Sequence, residues 1–441
     1  MAEKKKNYAL PIAIMFALFF MIAFVTGYQN PLGDTIKKMT GDNIIMSQLG
    51  TLANFIAYAV MGYPAGLLLK SKGYRVTALW AVTVGFLGVL ITYLSGFIAD
   101  NSTAVVIYII GAFVAGFSMC MLNTVVNPML NSLGKDQKQG NQLVQFGGSC
   151  NSLGATLAPV IVGGLIGGSA STIASANPVF YMAMAIFAAA FLVLYFTKLP
   201  EPKTLGEKNA QVKTSNVFKF SNFTFGVLAI FTYVGVEVGM ANFTTQYLSE
   251  SSIVAADSGA SAMAIAGSVC AVYWLMMLVG RLVGGAIGGV VSSRTMLTAT
   301  SAVAIILIAL GICMGESPVP FFGFDAPTFS FFTCTIPVNA LFFICVGLCT
   351  SVMWGAIFNL SVQGLGKYTD VASGIFMVMV CGGGIFPFIQ GTIAGSGILN
   401  SFWLPAALCF YILLYALFLS YPSRKSLGTE RVYEDGEKVE A

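Results

Sequence analysis

Long apolar runs recur along nearly the whole sequence. The first reads "YALPIAIMFALFFMIAFV" (residues 8–25), and many similar runs follow it. A helix needs about 20 apolar residues to cross a bilayer. Because 57% of the residues are hydrophobic and only 9% are charged, there is too little polar surface to cover a soluble globule. The chain is therefore predicted to be a membrane protein embedded in a lipid bilayer.

Twelve such runs predict an all-α membrane protein with twelve transmembrane helices. The first run is not expected to be a signal peptide, because its apolar part is longer than a typical signal core and no small-residue cleavage pattern follows. The predicted spans are residues 9–30, 45–70, 75–98, 103–133, 141–168, 176–198, 221–248, 260–291, 294–315, 332–364, 371–396 and 400–421.

The basic residues predict the orientation, since lysine and arginine concentrate in cytoplasmic loops. With the N-terminus inside, the external loops contain only Lys37 and Lys38, and Arg281 lies within a span. The other 19 of the 22 basic residues (22 − 3 = 19) then lie on the cytoplasmic side. Both termini are therefore predicted to be cytoplasmic, with the chain in the cell (inner) membrane.

The spans divide into two groups of six. The predicted organisation is an N-terminal six-helix bundle (1–198), a cytoplasmic linker (199–219), a C-terminal bundle (220–422) and a cytoplasmic tail (423–441). Motifs recur in both groups at offsets of 218 to 232: "GYPAG" with "GRLVG", "NPMLNSLG" with "NLSVQGLG", and two glycine clusters followed by proline. Duplicated halves of this kind predict a major facilitator architecture.

An ordered set of short motifs resembles the fucose, galactose and glucose:proton symporter family of the major facilitator superfamily. The motifs are "NPLGD", "GYPAG", "LNTVVNP", "NSLGA", "YVGVEVG", "GRLVGG" and "GGGIFP", and the likeness runs over about residues 8–422. The resemblance implies uptake of a monosaccharide from a central cavity between the bundles, by alternating access. It also implies one acidic residue in span one and another in span four that handle the proton and the sugar.

Both of those acids are amides in this chain. The family's Asn-Asp-Pro-Leu is "QNPL" (29–32) here, and its Leu-Glu-Thr is "LNT" (122–124). An amide keeps donors and acceptors for sugar hydroxyls but cannot titrate. Gln29, Asn30 and Asn123 are therefore predicted to bind substrate, and the route of any coupling proton is left open.

The few charges at membrane depth are candidate functional groups. Glu237 lies about 21 Å into span seven, near the middle of the membrane, and is predicted to carry the proton. The alternatives are that Glu237 pairs with a neighbouring helix in a structural role, or that it is partly hydrated in the cavity without taking part in coupling. Arg281 is predicted to act in gating by pairing with an acid or with helix-end carbonyls, rather than by touching substrate. Asp34, beside Lys37 and Lys38, is predicted to be solvated or to cap a helix.

Amides and aromatic rings supply the remaining substrate candidates. Asn123, Asn127 and Asn131 share one helix face, as a cavity lining requires, although such amides also bond between helices. Asn151 lies on a small-residue stripe, and either close packing or the cavity would suit it. Trp354 could stack on a pyranose face, and Asn359 follows it in span ten. Weaker candidates of either kind are Tyr28, Asn54, Tyr233, Asn242, Gln246, Trp274 and Gln390.

The sequence as a whole predicts a secondary transporter for a hexose or deoxyhexose. Proton symport through Glu237, facilitated diffusion and sodium symport are the alternatives for coupling, in that order. Transport of another small uncharged metabolite is the alternative for the cargo. An enzyme is not expected, because no nucleophile with a base, no metal cluster and no soluble domain is visible. Histidine is absent, the cysteines lie mostly in apolar runs, and neither a cofactor nor nucleic acid is expected as a partner.

Overall fold

A computed structural model describes residues 8–134, 137–166, 172–200, 214–256, 262–287, 291–325, 330–365, 369–421, 431–432 and 438–439. The larger part of the predicted linker and tail lies outside these residues. The helices are α1 (Ala9–Gly27), α2 (Gln29–Met39), α3 (Ile44–Ser47), α4 (Leu49–Ser95), α5 (Asn101–Leu133), α6 (Gln137–Ile166), α7 (Asn177–Phe196), α8 (Ser221–Glu250), α9 (Ala262–Ile287), α10 (Ser293–Cys313), α11 (Val338–Thr350), α12 (Met353–Val362), α13 (Thr369–Met379), α14 (Gly382–Ala394), α15 (Ile398–Ser401) and α16 (Trp403–Leu414).

Short irregular elements complete the chain. Short 3₁₀ helices cover Ile173–Ala176 and Thr214–Lys219, and a π-helical turn over Tyr415–Leu419 extends α16. The strands are β1 (Ala255–Ala256), β2 (Pro318–Asp325), β3 (Ser330–Pro337), β4 (Arg431–Val432) and β5 (Lys438–Val439). The first three form an antiparallel sheet in the order β1-β3-β2, and β4 pairs with β5 in the tail.

Eleven helical segments of the described chain are long and apolar enough to cross a membrane. They correspond to eleven of the twelve predicted spans. The fifth predicted span lies in α6, whose apolar part, Phe146–Val162, is shorter. The second and third spans both lie in α4, which is broken at Gly73, where φ is +80°. This φ is readily adopted only by glycine, so Gly73 allows the chain to turn back between the two spans.

The start of span ten was predicted wrongly. Residues 332–337 belong to strand β3, which pairs with β2 along eight residues, and the helix begins at Val338. The segment is apolar enough to resemble a span, but its aromatic and β-branched residues also favour a strand. Pro337 lacks an N–H and stands directly before the helix, where none is needed. We call the end of the bundle that carries this hairpin the hairpin end, and the opposite end, where α7 ends and α8 begins, the linker end.

Glycines allow the helices of the two halves, α1–α7 and α8–α16, to approach closely. A Cβ added at Gly383 of α14 would lie 2.8 Å from the Phe55 ring of α4, and one at Gly62 of α4 would lie 2.9 Å from Val378 of α13. The halves also meet where α6 packs against α9. In the "GYPAG" motif only Gly62 is crowded, since a Cβ at Gly66 would meet nothing within 4 Å.

Two arginines occupy equivalent places in the halves. Arg75, at the start of the third span, donates to the carbonyls of Leu194 and Tyr195 at the end of α7. Arg294, at the start of α10, donates to the hydroxyl and carbonyl oxygens of Ser420 after the π-helical turn. The two arginines are 219 residues apart, within the offsets at which the sequence motifs repeat. Each one donates to at least one carbonyl that a helix end leaves without an internal partner.

Candidate functional site

Arg281 of α9 contacts both halves of the chain. Its Nη2 atom lies 3.6 Å from Oε1 of Glu237 on α8, and the two side chains are 13% and 15% exposed. Its Nη1 atom donates to the carbonyl of Gly148 and to the hydroxyl of Ser152 on α6, each over 2.7 Å. The guanidinium is thus shared between an acid in its own half and two neutral acceptors in the other. A buried charge of either sign is tolerated when it is paired in this way.

Aromatic side chains surround Glu237. Tyr233 lies one helical turn before it on the same face of α8. The Tyr233 ring meets the Trp354 ring of α12 edge-on, with centroids 6.1 Å apart and planes at 63°. Tyr273 of α9 donates its hydroxyl hydrogen to the backbone carbonyl of Glu237 over 3.2 Å. The Tyr233 ring therefore lies between Trp354 and Glu237, and Trp354 offers a flat apolar face close to this acid.

The amide of Asn123 faces α4. Its Nδ2 atom donates to the Tyr58 hydroxyl over 3.1 Å and also to the carbonyl of Met119 one turn earlier. The amide of Asn127 donates to the carbonyl of Asn123 over 3.0 Å, within the same helix. Both residues are partly buried. Asn123 is thus held by a bond between helices, whereas the bond of Asn127 is local.

A run of aromatic contacts leads from Asn123 towards α8. The Tyr58 ring stacks on Phe55 with centroids 5.8 Å apart. Phe55 packs at Gly383 of α14, where Val234 of α8 also lies against the glycine. Val234 directly follows Tyr233, which contacts Trp354. Side-chain contacts thus connect α5 to α4, α4 to α14 across the halves, α14 to α8, and α8 to α12, while Arg281 connects α9 to α8 and α6.

The other predicted substrate residues divide into three groups. Asn151 of α6 donates to the carbonyl of Phe19 on α1 over 3.1 Å, which favours the packing alternative. Asn359 is exposed on α12, and five residues of helix turn it about 140° from Trp354, so the two do not share a face. The side chains of Gln29, Asn30 and Asn131 lie outside the described residues.

Polar contacts join α2 and α3 of the N-terminal half to α8 at the hairpin end. Lys37 forms an ion pair with Glu250. Asn242 donates to Gln48 over 3.1 Å, and Gln246 donates to Ser47 over 2.8 Å. Asp34 forms a local pair with Lys38, 2.9 Å away on α2. The two halves are therefore joined at this end through α2, α3 and α8.

The side chains of this arrangement that were missed in the sequence are Phe55, Tyr58 and Tyr273 among the aromatic residues and Ser47, Gln48 and Ser152 among the polar ones. Tyr58 resembles any aromatic residue of an apolar span, and its partner Asn123 is 65 positions away. Ser152 stands beside Asn151 in the motif "NSLGA", which is the one signal that pointed to it. Asn54 and Gln390, weaker candidates, bond to Ala112 and Ser401 respectively. Within the described residues, no group of three histidine, cysteine or acidic side chains could hold a metal ion.

Comparison with known protein families matches residues 14–387 to the Major Facilitator Superfamily. A glucose/galactose transporter of Brucella abortus is 28% identical over 425 residues, which cover 94% of this chain and 95% of that protein. The L-fucose-proton symporter of Escherichia coli is 21% identical over 447 residues, 95% of each chain. The predicted resemblance to fucose, galactose and glucose transporters is confirmed by these relatives.

The solved structures give the same fold. A crystal structure of the Escherichia coli fucose:proton symporter superposes with a TM-score of 0.67 at 20% identity, and the match covers 94% of this chain and all of that one. At this level of identity the likeness concerns the fold alone. It confirms the major facilitator architecture predicted from the duplicated motifs.

Proposed function

The chain belongs to the Major Facilitator Superfamily, and from this membership we propose that it transports a monosaccharide, a hexose or deoxyhexose, by alternating access. The relatives named above are glucose/galactose and fucose transporters, not enzymes. We place the chain in the cell (inner) membrane with both termini and the linker end in the cytoplasm, since this orientation follows from the lysine and arginine distribution.

The observation that carries the proposal is the chemistry of the region between the halves. Asn123 presents an uncharged amide, Trp354 an aromatic face, and Glu237 is paired with Arg281 rather than left as a free charge. Amides bond sugar hydroxyls through both donors and acceptors. A site that is neutral overall suits an uncharged, hydroxyl-rich substrate. Gln29, Asn30, Asn127 and Asn359 stay predicted contributors, whereas the bond of Asn151 to the Phe19 carbonyl favours a packing role.

Alternating access requires the halves to separate at one end at a time. The contacts of Lys37, Ser47 and Gln48 with α8 hold the hairpin end together. Breaking them would open the site towards the outside. Arg281 holds α6 and α9 together nearer the linker end, about 9 Å from the end of α9, and is proposed to act in gating there.

Coupling is proposed to use a proton on Glu237, a carboxyl in the described middle part of the site. Because amides replace both acids that the family motifs contain, facilitated diffusion without coupling is the second candidate. Sodium symport is the third. Replacing Glu237 with glutamine distinguishes proton symport from facilitated diffusion and sodium symport, because a carboxyl can take up and release a proton whereas an amide cannot.

Uptake of labelled monosaccharides into proteoliposomes tests the proposal, with an inward proton gradient imposed or collapsed. We expect accumulation above the external concentration that disappears with the gradient and with Glu237→Gln. The matched control is Asp100→Asn, which alters an exposed acid that caps α5. Equilibration indifferent to proton and sodium gradients would establish facilitated diffusion. Absence of flux for every hexose and deoxyhexose would refute the substrate assignment.

A further inference from the structure

Arg281 has acceptors in both halves of the chain, and they differ in charge. The acceptor in its own half, Glu237, can be an anion, while Gly148 and Ser152 across the interface are neutral. We infer that Arg281 is a positioning residue through which the proton on Glu237 controls how firmly α6 is held to α9. The inference rests on the proposed function in one respect, that Glu237 gains and loses a proton.

The argument concerns what happens to the guanidinium if α6 moves away from α9. When Glu237 is ionised, Arg281 loses Gly148 and Ser152 but keeps an anion in its own half. When Glu237 is protonated, Arg281 already has no anion in its own half, and the same movement also removes its two neutral acceptors, which is strongly unfavourable for a largely buried cation. Protonation therefore favours the joined state of α6 and α9, and ionisation permits their separation.

The groups around Glu237 indicate that its charge would act on α6 through Arg281. The titratable and charged groups of the described residues that act on the carboxyl are Arg281 of α9 and Tyr233 of its own helix. Tyr273, also of α9, bonds to the backbone carbonyl of Glu237. The neighbouring helix α12 contributes Trp354, which does not titrate. On α6 the contacts to Arg281 are a carbonyl and a hydroxyl, so only the α8 side of this arrangement changes charge.

Ser152 strengthens the inference because it competes with Glu237 for the guanidinium of Arg281. A serine hydroxyl at 2.7 Å forms a charge-assisted hydrogen bond with Arg281. The Glu237 contact, at 3.6 Å, is longer than a hydrogen bond of that kind. In this structure the guanidinium thus lies closer to α6 than to its anion. Removing the serine would shift the balance towards Glu237 and weaken the contact between the halves.

The experiment measures separation at the linker end directly. Spin labels carried by genetically encoded side chains at Ser132 and Ser292, in the N- and C-terminal halves, leave the nine native cysteines in place. Both positions lie near the linker end, and Ser292 is exposed. The distance distribution is recorded in nanodiscs without sugar, at acidic and at alkaline pH. It gives the ratio of joined to separated molecules.

We expect the joined fraction of the unmodified protein to rise as the pH falls. Glu237→Gln should hold it at the acidic value at every pH. Ser152→Ala should lower the joined-to-separated ratio roughly tenfold, the effect of one hydrogen bond to a charged group. Thr156→Ala is the matched control, since among the described residues its hydroxyl bonds to the Ser152 carbonyl within α6; it should leave the distribution unchanged.

Two results would overturn the inference: a pH response that survives in Glu237→Gln, or a Ser152→Ala distribution equal to that of Thr156→Ala. The second remains decisive if Glu237→Gln fails to fold. Because no sugar is present, a failure here is distinct from a failure of the transport proposal. A chain that accumulates sugar with pH-independent distances refutes only the role of Arg281, and a chain with the expected distances but no sugar flux refutes only the substrate assignment.

Discussion

Asn123 of α5 and Tyr58 of α4 are joined by a hydrogen bond of 3.1 Å, the contact that orients the amide of "LNT". In the family that this motif resembles, an acid stands at this position. A carboxylate cannot donate to a phenol oxygen, whereas an amide can. The amide therefore uses one donor on Tyr58 and another on Met119, and its oxygen is the group left to accept from a substrate hydroxyl.

Replacing Asn123 with alanine should weaken substrate binding. The change removes an acceptor for the sugar and leaves Tyr58 without its donor, so we expect KM to rise roughly tenfold, the effect of one or two hydrogen bonds. Asn400→Ala, which alters an exposed amide at the hairpin end, is the control and should behave as the unmodified protein. Uptake into proteoliposomes at several sugar concentrations measures both. An unchanged KM in Asn123→Ala would remove the residue from the site.

Asn151 should behave differently, because its amide is bonded to the Phe19 carbonyl of α1. Asn151→Ala is expected to lower the free energy of unfolding by about 0.6 kcal/mol, a typical value for a hydrogen bond between membrane helices. KM should change little. Thermal unfolding in detergent, together with uptake kinetics, separates the two effects. A large rise in KM at unchanged stability would return Asn151 to the substrate site.

Trp354 tests the aromatic face. Trp354→Ala removes the ring that meets Tyr233 and is expected to raise KM about tenfold, since aromatic contacts contribute about 0.5–1.5 kcal/mol beyond area burial. Trp354→Phe should recover part of the loss because it restores a flat apolar surface. The control is Trp403→Phe, a change at an exposed tryptophan of α16. Equal uptake kinetics for Trp354→Ala and Trp354→Phe would argue against stacking on the sugar.

The fold was predictable because hydrophobic length and repeated motifs are properties of sequence alone. Glu237 and Arg281 were identified for the same reason, since charges in apolar runs stand out. The partners of Arg281 on α6 were not identified, because the face of α6 that meets α9 is set by packing between helices far apart in sequence. Ser152 is one of many serines until Arg281 is seen to reach it. The hairpin was missed because an apolar strand and the start of an apolar helix have similar composition.

The ion pair of Lys37 and Glu250 leads to the last prediction, which concerns the hairpin end. Lys37 is 10% exposed and Glu250 is 38% exposed, so the pair is only partly screened by water. Lys37→Ala is expected to shift molecules towards separation at this end, by roughly threefold for a pair that contributes about 0.2–1 kcal/mol. Lys37→Glu should shift them further, because it places two carboxylates together. The double change Lys37→Glu with Glu250→Lys should restore the original ratio.

The same labelling method checks this prediction, with labels at the exposed positions Asp42 and Ser252, on either side of the contact. Lys38→Ala is the matched control, since Lys38 pairs with Asp34 within α2 and not with the other half. It should leave the distance distribution unchanged while Lys37→Ala broadens it towards longer distances. If the double exchange fails to restore the short distance, or if the two alanine variants agree, then Lys37 and Glu250 do not hold the halves together. The neutral contacts of Ser47 and Gln48 with α8 would then account for closure at this end.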